Sequence, residues 1–314
     1  MILVALSLSC VGRVPSTQAG VDVLVIAPHP DDEVLMAGGV MRHAVARGQR
    51  VAVVVMTNGD LTCERDGAVR QAETVAALQA IGLPEDAVRF FGYPDGHLDQ
   101  LGATPLPPVA RLGVDGRCGL AAETWANRGM GRVDEHTRRT GRPAGFTATA
   151  LIDDLAAVLG ELRPRDVYLP HGVDAHPDHA MTYAFFRRAL DRLDRAPRRV
   201  HRSVVHARGD RCWPSSCAEP LSLDTPLPPL PAALASVVAD ERVAVDARAK
   251  LSWIARYASQ LEGPVERDWL AGFARTDEAF FTESYRRDGA GWRRAEGAPG
   301  DDEEGAAVRP VDAK

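Results

Sequence analysis

The sequence predicts an α/β protein: a Rossmann-like, doubly wound, mostly parallel sheet with helices on both faces. Three observations carry this. Apolar, β-branched runs recur along the 314 residues, and segments with helical spacing separate them. The runs are apolar at every position instead of alternating, which suits parallel strands covered on both sides.

The first strand is "VDVLVIA" at 21–27, and "PHPDDE" at 28–33 follows it directly. Residues 34–48 read as a helix closed by Gly48, and "RVAVVVMT" at 50–57 as the second strand. A helix over 66–81 places Ala68, Val75, Leu78 and Ile81 near one face and stops at Gly82. "AVRFFGY" at 87–93 is a third strand, "DVYLP" at 166–170 a fourth and "RSVVHA" at 202–207 a fifth. Residues 102–147 break the rhythm with Gly, Pro and Arg, and form a long loop or small excursion. The proline-rich stretch 218–233 reads as a linker to a last helix over roughly 237–262. From about 288 the chain carries almost no aliphatic content, which predicts a disordered tail over 288–314.

Composition narrows the function. A formal charge of −6 argues against a nucleic-acid binder, since no basic excess exists to replace phosphate counterions. No run of about 18 apolar residues is present, so a transmembrane helix is not expected. Residues 1–20 open with "MILVALSLSC", apolar and ending in small residues before Cys10, and form either an export leader or a plain N-terminal extension. The first option places the protein outside the cytoplasm, secreted or lipid-anchored at Cys10; the second leaves it cytoplasmic. Cys63, Cys118, Cys212 and Cys217 are enough for two disulfides in an oxidising compartment, with buried free thiols the alternative.

The chemistry lies in two clusters. A core strand gains nothing by ending in His29, Asp31, Asp32 and Glu33, and adjacent carboxylates repel unless a cation or hydrogen-bond donors hold them. Pro28 and Pro30 stiffen that loop. "HGVDAHPDHA" at 171–180 follows the fourth strand, where Asp174 or His176 caps a helix, Pro177 sits in its first turn and His179 projects from it. In an open parallel sheet, loops at the carboxyl ends of strands converge on a ligand. His29, Asp32 and His179 supply two imidazoles and one carboxylate, a set suited to Zn²⁺ or to Fe²⁺ or Co²⁺, with a coordination position left open for catalysis.

"PHPDDE" with "HPDH" at 176–179 resembles the LmbE-like, or PIG-L, family of zinc-dependent N-acetylglucosaminyl de-N-acetylases. The resemblance spans roughly 21–285, read as one such domain over 21–287 with its insertion at 102–147, and extends to "TNGD" at 57–60, Arg70, Glu73 and "YPDG" at 93–96. It implies His29, Asp32 and His179 as metal ligands and Asp31 as general base. The residues agree with this chemistry: zinc brings water towards ionisation at neutral pH, and a neighbouring carboxylate that is not a ligand takes its proton. His176 matches a donor to the developing oxyanion and to the leaving amine. Arg70 and Asp95 match positions that hold sugar hydroxyls, although Arg70 has Glu73 as an i, i+3 partner and Asp95 suits its turn for backbone reasons. Asn58 and Asp60 either support the site or serve their turn. Glu33 pairs locally, and "ARYASQ" at 255–260 resembles a family segment that packs near the site. His97 is placed beside the pocket and His171 in reserve behind it, while His43, His136, His201 and His206 receive no role.

The expected function is therefore a metal-dependent hydrolase removing acetyl from an N-acetylated amino sugar or glycoconjugate. The alternatives are a carbohydrate-binding or scaffold protein with an unproductive metal site, and a metallohydrolase of another amide or ester. Arg111, Arg117, Arg128 and Arg132 in the insertion would favour an anionic glycoconjugate, or are simply solvated.

Overall fold

A computed structural model describes residues 20–113, 116–215, 222–289 and 291–295. A seven-stranded sheet organises them, built from β1 (Val23–Ala27), β2 (Val51–Thr57), β3 (Val88–Tyr93), β6 (Asp166–Pro170), β7 (Arg199–Ser203), β8 (Glu241–Ala244) and β9 (Asp277–Glu283). A hairpin of β4 (Val109–Leu112) and β5 (Cys118–Ala121) lies in the insertion, and a second, β10 (Tyr285–Asp288) with β11 (Gly291–Arg294), follows β9. The helices are α1 (Asp32–Ala46), α2 (Gly67–Ile81), α3 (Glu135–Thr140), α4 (Ala148–Leu162), α5 (Pro177–Leu190), α6 (Ala247–Ile254) and α7 (Pro264–Ala271). Among the described residues, no helix is long and apolar enough to cross a membrane.

The strand order is β3-β2-β1-β6-β7-β9-β8, with the first five parallel and β9 antiparallel to both of its neighbours, β7 and β8. The fully apolar first strand serves two cores. Val23, Val25 and Ala27 pack with α1 and α2, whereas Leu24 and Ile26 pack with α4 and α5. The chain winds outwards in both directions from β1 and β6, so the carboxyl ends of these neighbours flank the switch point where such folds bind ligands.

Four expectations are corrected. The fifth strand is β7 and ends at Ser203, because the Val205 and His206 N–H groups donate to the Asp174 carboxylate at 2.7 and 3.1 Å and leave the ladder. No continuous helix occupies 237–262: β8 pairs with β9, α6 begins only after the Asp246 cap, and α7 is separate. The part of the proline-rich stretch at 222–233 packs against the core through Leu223, buried Leu227 and Leu230, instead of running free as a linker. The chain is also structured past 288, since β11 pairs with β10 and Trp292 donates to the Leu193 carbonyl at 3.1 Å. Residues 1–19 and 296–314, where the leader and most of the expected tail fall, lie outside the described residues.

The insertion's Cys118 is bonded to Cys63, tying β5 to the loop before α2. Cys212 is disulfide-bonded as well, and Cys10 and Cys217 lie outside the described residues. Arg111 stacks on Trp125 with its guanidinium carbon 3.9 Å from the ring centre, and Arg132 donates to the Val88 carbonyl at 3.1 Å.

One buried ion pair holds the two halves of the chain together. Helix α1 kinks at Ala37 (φ −137°, ψ 22°), which takes backbone groups out of the helical ladder. Glu278 of β9 accepts from the Gly39 and Val40 N–H groups at 2.8 and 3.1 Å, and Lys250 of α6 donates to the Leu35 carbonyl at 2.8 Å. The two charges meet at 2.7 Å with almost no solvent exposure. Replacing Glu278 by Ala strands the Lys250 ammonium and two amides, so Glu278→Ala should lose roughly 3–5 kcal/mol of unfolding free energy in a denaturant titration.

Candidate active site

The loop after β1 is bent by an unusual backbone angle. Asp31 caps α1 at φ +127°, a region that side chains disfavour at a cost of about 1–3 kcal/mol. Several contacts hold it there. Arg70 of α2 donates to the Pro30 carbonyl at 2.7 Å, to Asp31 Oδ2 at 3.0 Å and to the Gly59 carbonyl at 3.0 Å. Glu33 Oε2 accepts the Asp31 N–H at 3.1 Å, and Tyr257 donates its hydroxyl to the same carboxylate. Glu33 is thus turned away from Asp32. The Arg70–Glu73 pair, the alternative to a substrate role for Arg70, does not form: Glu73 instead accepts from the Ser259 N–H and hydroxyl at 2.8 and 2.6 Å.

The fold brings His29, Asp32 and His179 to one point. Nδ1 of His29 and Nε2 of His179 each lie 3.1 Å from Asp32 Oδ2 and 3.3 Å from each other. Two ligands bound at zinc's usual distance in a tetrahedron stand about 3.3 Å apart, so the triangle has the right size. The far nitrogens are backed by carboxylates. His29 Nε2 lies 3.1 Å from both Asp95 and Asp178, and His179 Nδ1 lies 3.3 Å from Asp174. A ring nitrogen facing a carboxylate carries the proton, which turns the other nitrogen's lone pair towards the metal position.

Charge points the same way. Asp31, Asp32, Asp95, Asp174 and Asp178 are all buried around these imidazoles, with Arg70 the permanent cation among them. Despite burial, Asp32 is held well below the usual carboxylate range by His179 and His29. Although burial works against it, His179 is raised to about 10 by Asp32 and Asp174. The pocket therefore attracts positive charge. Burial pushes Asp31 up to about 6, against the pull of Arg70.

His176 caps α5 with Nδ1 accepting the Asp178 N–H at 3.2 Å, so its remaining proton is on Nε2. Burial and the neighbouring His29 and His179 hold its pKa down to about 3. A cavity of about 200 Å³ opens over the cluster, and His29, Asp31, Asp32, Arg70, Asp95 and His176 all line it. All seven residues singled out in the sequence therefore converge. Asp95 adds a 3.7 Å ion pair with Arg70 to its contact with His29.

Three contributors escaped sequence reasoning. Asp178 accepts from the Gly96 and Leu98 N–H groups at 2.7 and 2.9 Å while facing His29. Its place inside "HPDH" was the available signal. Asp174 supports His179 and accepts from the backbone of His176, Val205 and His206, and His206 itself lines the cavity. His206 had no motif to betray it. Of the other candidates, Asn58 accepts from Gln71 at 2.6 Å, Asp60 accepts the Asp95 N–H at 3.5 Å, and His97 turns Nδ1 to the Asp95 carbonyl at 2.7 Å. His171 accepts from the Val173 N–H at 3.0 Å.

Over residues 24–190 the sequence matches the family model PIG-L, described as GlcNAc-PI de-N-acetylase. The chain belongs to the PIG-L family. It is 30% identical over 184 residues to the 1D-myo-inositol 2-acetamido-2-deoxy-alpha-D-glucopyranoside deacetylase of Mycolicibacterium smegmatis, a match covering 54% of this chain and 52% of that protein. The Mycobacterium tuberculosis (strain F11) deacetylase of the same name is 31% identical over 160 residues, covering 50% of this chain and 46% of the other. The chain thus spans about half the length of the curated relatives it matches. Among solved structures, N,N'-diacetylchitobiose deacetylase from Pyrococcus horikoshii superposes with a TM-score of 0.51 over 84% of each chain at 16% identity, a likeness of fold. The PIG-L match includes both histidine clusters and ends with α5.

The carboxylates behind the imidazoles should tune the metal. Asp178→Asn removes the charge facing His29, so zinc affinity should fall about 10–100-fold in a chelator competition while the fold is kept.

Proposed function

We propose that this protein is a zinc-dependent de-N-acetylase acting on an N-acetylated amino sugar or glycoconjugate. The observation that carries the reading is the 3.1, 3.1 and 3.3 Å triangle of His29, Asp32 and His179 with Asp31, which is no part of it, on the wall of the same cavity. Family membership supports the acetamido substrate.

A divalent ion held by the three donors would supply Lewis acidity towards water and the amide carbonyl. The chain's own residues do the rest. Asp31, fixed by Arg70 and Glu33, takes a proton from the attacking water. The water oxygen bonds to the carbonyl carbon, and the carbonyl oxygen gains negative charge that His176 Nε2–H is placed to stabilise. The C–N bond then breaks, and the departing nitrogen takes the proton held by Asp31 and not one from His176, which burial keeps neutral; amine and acetic acid leave, the acid then giving up its proton to solvent. Arg70 serves first by orienting Asp31, while Asp95 orients His29 and presents a carboxylate to sugar hydroxyls. Turnover explains the arrangement better than a binding or scaffold role, because binding gives no reason to hold a strained, buried carboxylate beside the metal triangle.

Two variants separate the roles. His179→Ala should lose bound zinc and amine release together, measured by metal analysis and an amine-reactive fluorophore on N-acetylglucosaminyl compounds. Asp31→Asn should retain zinc and lose about 10²–10⁴-fold in kcat, and near-normal turnover in that variant would overturn the assigned base.

A further inference from the structure

The family match stops at residue 190, whereas the cavity continues beyond it. His206, Gln260, Glu266 and Trp269 form a second wall, from the loop after β7 and from the segment running into α7. The metal donors sit on the wall shared with the family; this one belongs to the part of the chain that the family model does not describe.

His206 is held on that wall by contacts on both sides. Its N–H donates to Asp174 Oδ2 at 3.1 Å, and its Nδ1 lies 3.4 Å from Asp174 Oδ1. Its ring stacks on Trp269 with centroids 5.0 Å apart and planes 26° from parallel. Trp269 is itself fixed, donating Nε1–H to the Trp213 carbonyl at 2.8 Å. The Asp174 carboxylate faces Nδ1 at ion-pair distance and favours the tautomer with its proton there, which leaves Nε2 as an acceptor. His176 has the opposite arrangement, with Nδ1 accepting from Asp178 and Nε2–H left to donate. The two rings stand 5.0 Å apart, centroid to centroid. Together they offer one donor and one acceptor to the cavity. An acetamido group beside a hydroxyl presents the complement, a carbonyl oxygen and an O–H.

We propose that His206 is a specificity-determining residue that accepts a hydrogen bond from the hydroxyl vicinal to the acetamido group, an assignment resting on the de-N-acetylase reading above. It selects amino sugars whose neighbouring carbon carries a free O–H over simple N-alkyl acetamides.

The test compares the methyl glycoside of N-acetylglucosamine with its 3-deoxy analogue on zinc-loaded wild type, His206→Phe and His206→Gln. Phe keeps the stack on Trp269 without an acceptor, whereas Gln restores an acceptor. In wild type the 3-deoxy compound should show kcat/KM about 10- to 100-fold lower than the parent, carried mainly by KM. His206→Phe should lower the parent to the level of the 3-deoxy compound and leave the latter unchanged, and His206→Gln should recover part of the difference. Calorimetric titration of both sugars into the Asp31→Asn protein, with and without His206→Phe, should reproduce the pattern in Kd at constant zinc content. Equal losses on both sugars, or a loss explained by missing zinc, overturn the assignment. A wild-type enzyme that binds and cleaves neither sugar overturns the de-N-acetylase reading for this substrate class, and the assignment with it.

Discussion

Five buried aspartates gathered beyond the carboxyl ends of β1, β6 and β3 cannot coexist without positive charge, and much of the site is arranged around that requirement. Arg70 supplies one permanent cation and three imidazoles supply polar contacts, yet the carboxylates still outnumber the fixed charge. Each aspartate is therefore given a separate set of donors. Asp174 takes three backbone N–H groups, Asp178 takes two, and Asp32 takes the His29 N–H. The Oδ2 atoms of all three also face the rings of His29 and His179, whose inner nitrogens point to a common centre. The electrostatic demand and the metal geometry are one feature seen from two sides.

Holding that centre distorts the backbone. The positive φ at Asp31 and the kink at Ala37 lie six residues apart on either side of the first turn of α1. Both are stabilised by side chains from distant parts of the chain: Arg70 and Tyr257 at the first, Lys250 and Glu278 at the second. The segment after residue 240 is thus more than a continuation of the sheet. It braces α1 from behind through α6 and β9, and it walls the cavity through Gln260 and Trp269.

Strands β1, β2, β3 and β6 were legible because both faces of each are buried, so apolar character persists at every position. Helices α1 and α2 were legible for the opposite reason, a spaced apolar stripe with a stop signal after it. Reading failed where tertiary partners override local pattern. "ERVA" at 241–244 lies within a stretch of helical appearance, and becomes a strand only because β9 offers an antiparallel edge. Trp292 lies among polar residues, and the surface near Leu193 gives it something to bury against.

The same division applies to the site. The candidate ligands and the candidate base stand in two short motifs whose residue types have little purpose apart from metal chemistry, so the sequence by itself determined the chemical class and the α/β frame that unites the motifs. Asp178 and Asp174 were visible as letters but not as supports, since most of their partners are backbone amides and imidazoles on the loops after β1, β3 and β7, which only the sheet brings near. His206, Gln260 and Trp269 had no local pattern at all. Their positions depend on where β7 ends and how α7 packs, which are properties of long-range contact, and only the tertiary structure decided which residues complete the cavity.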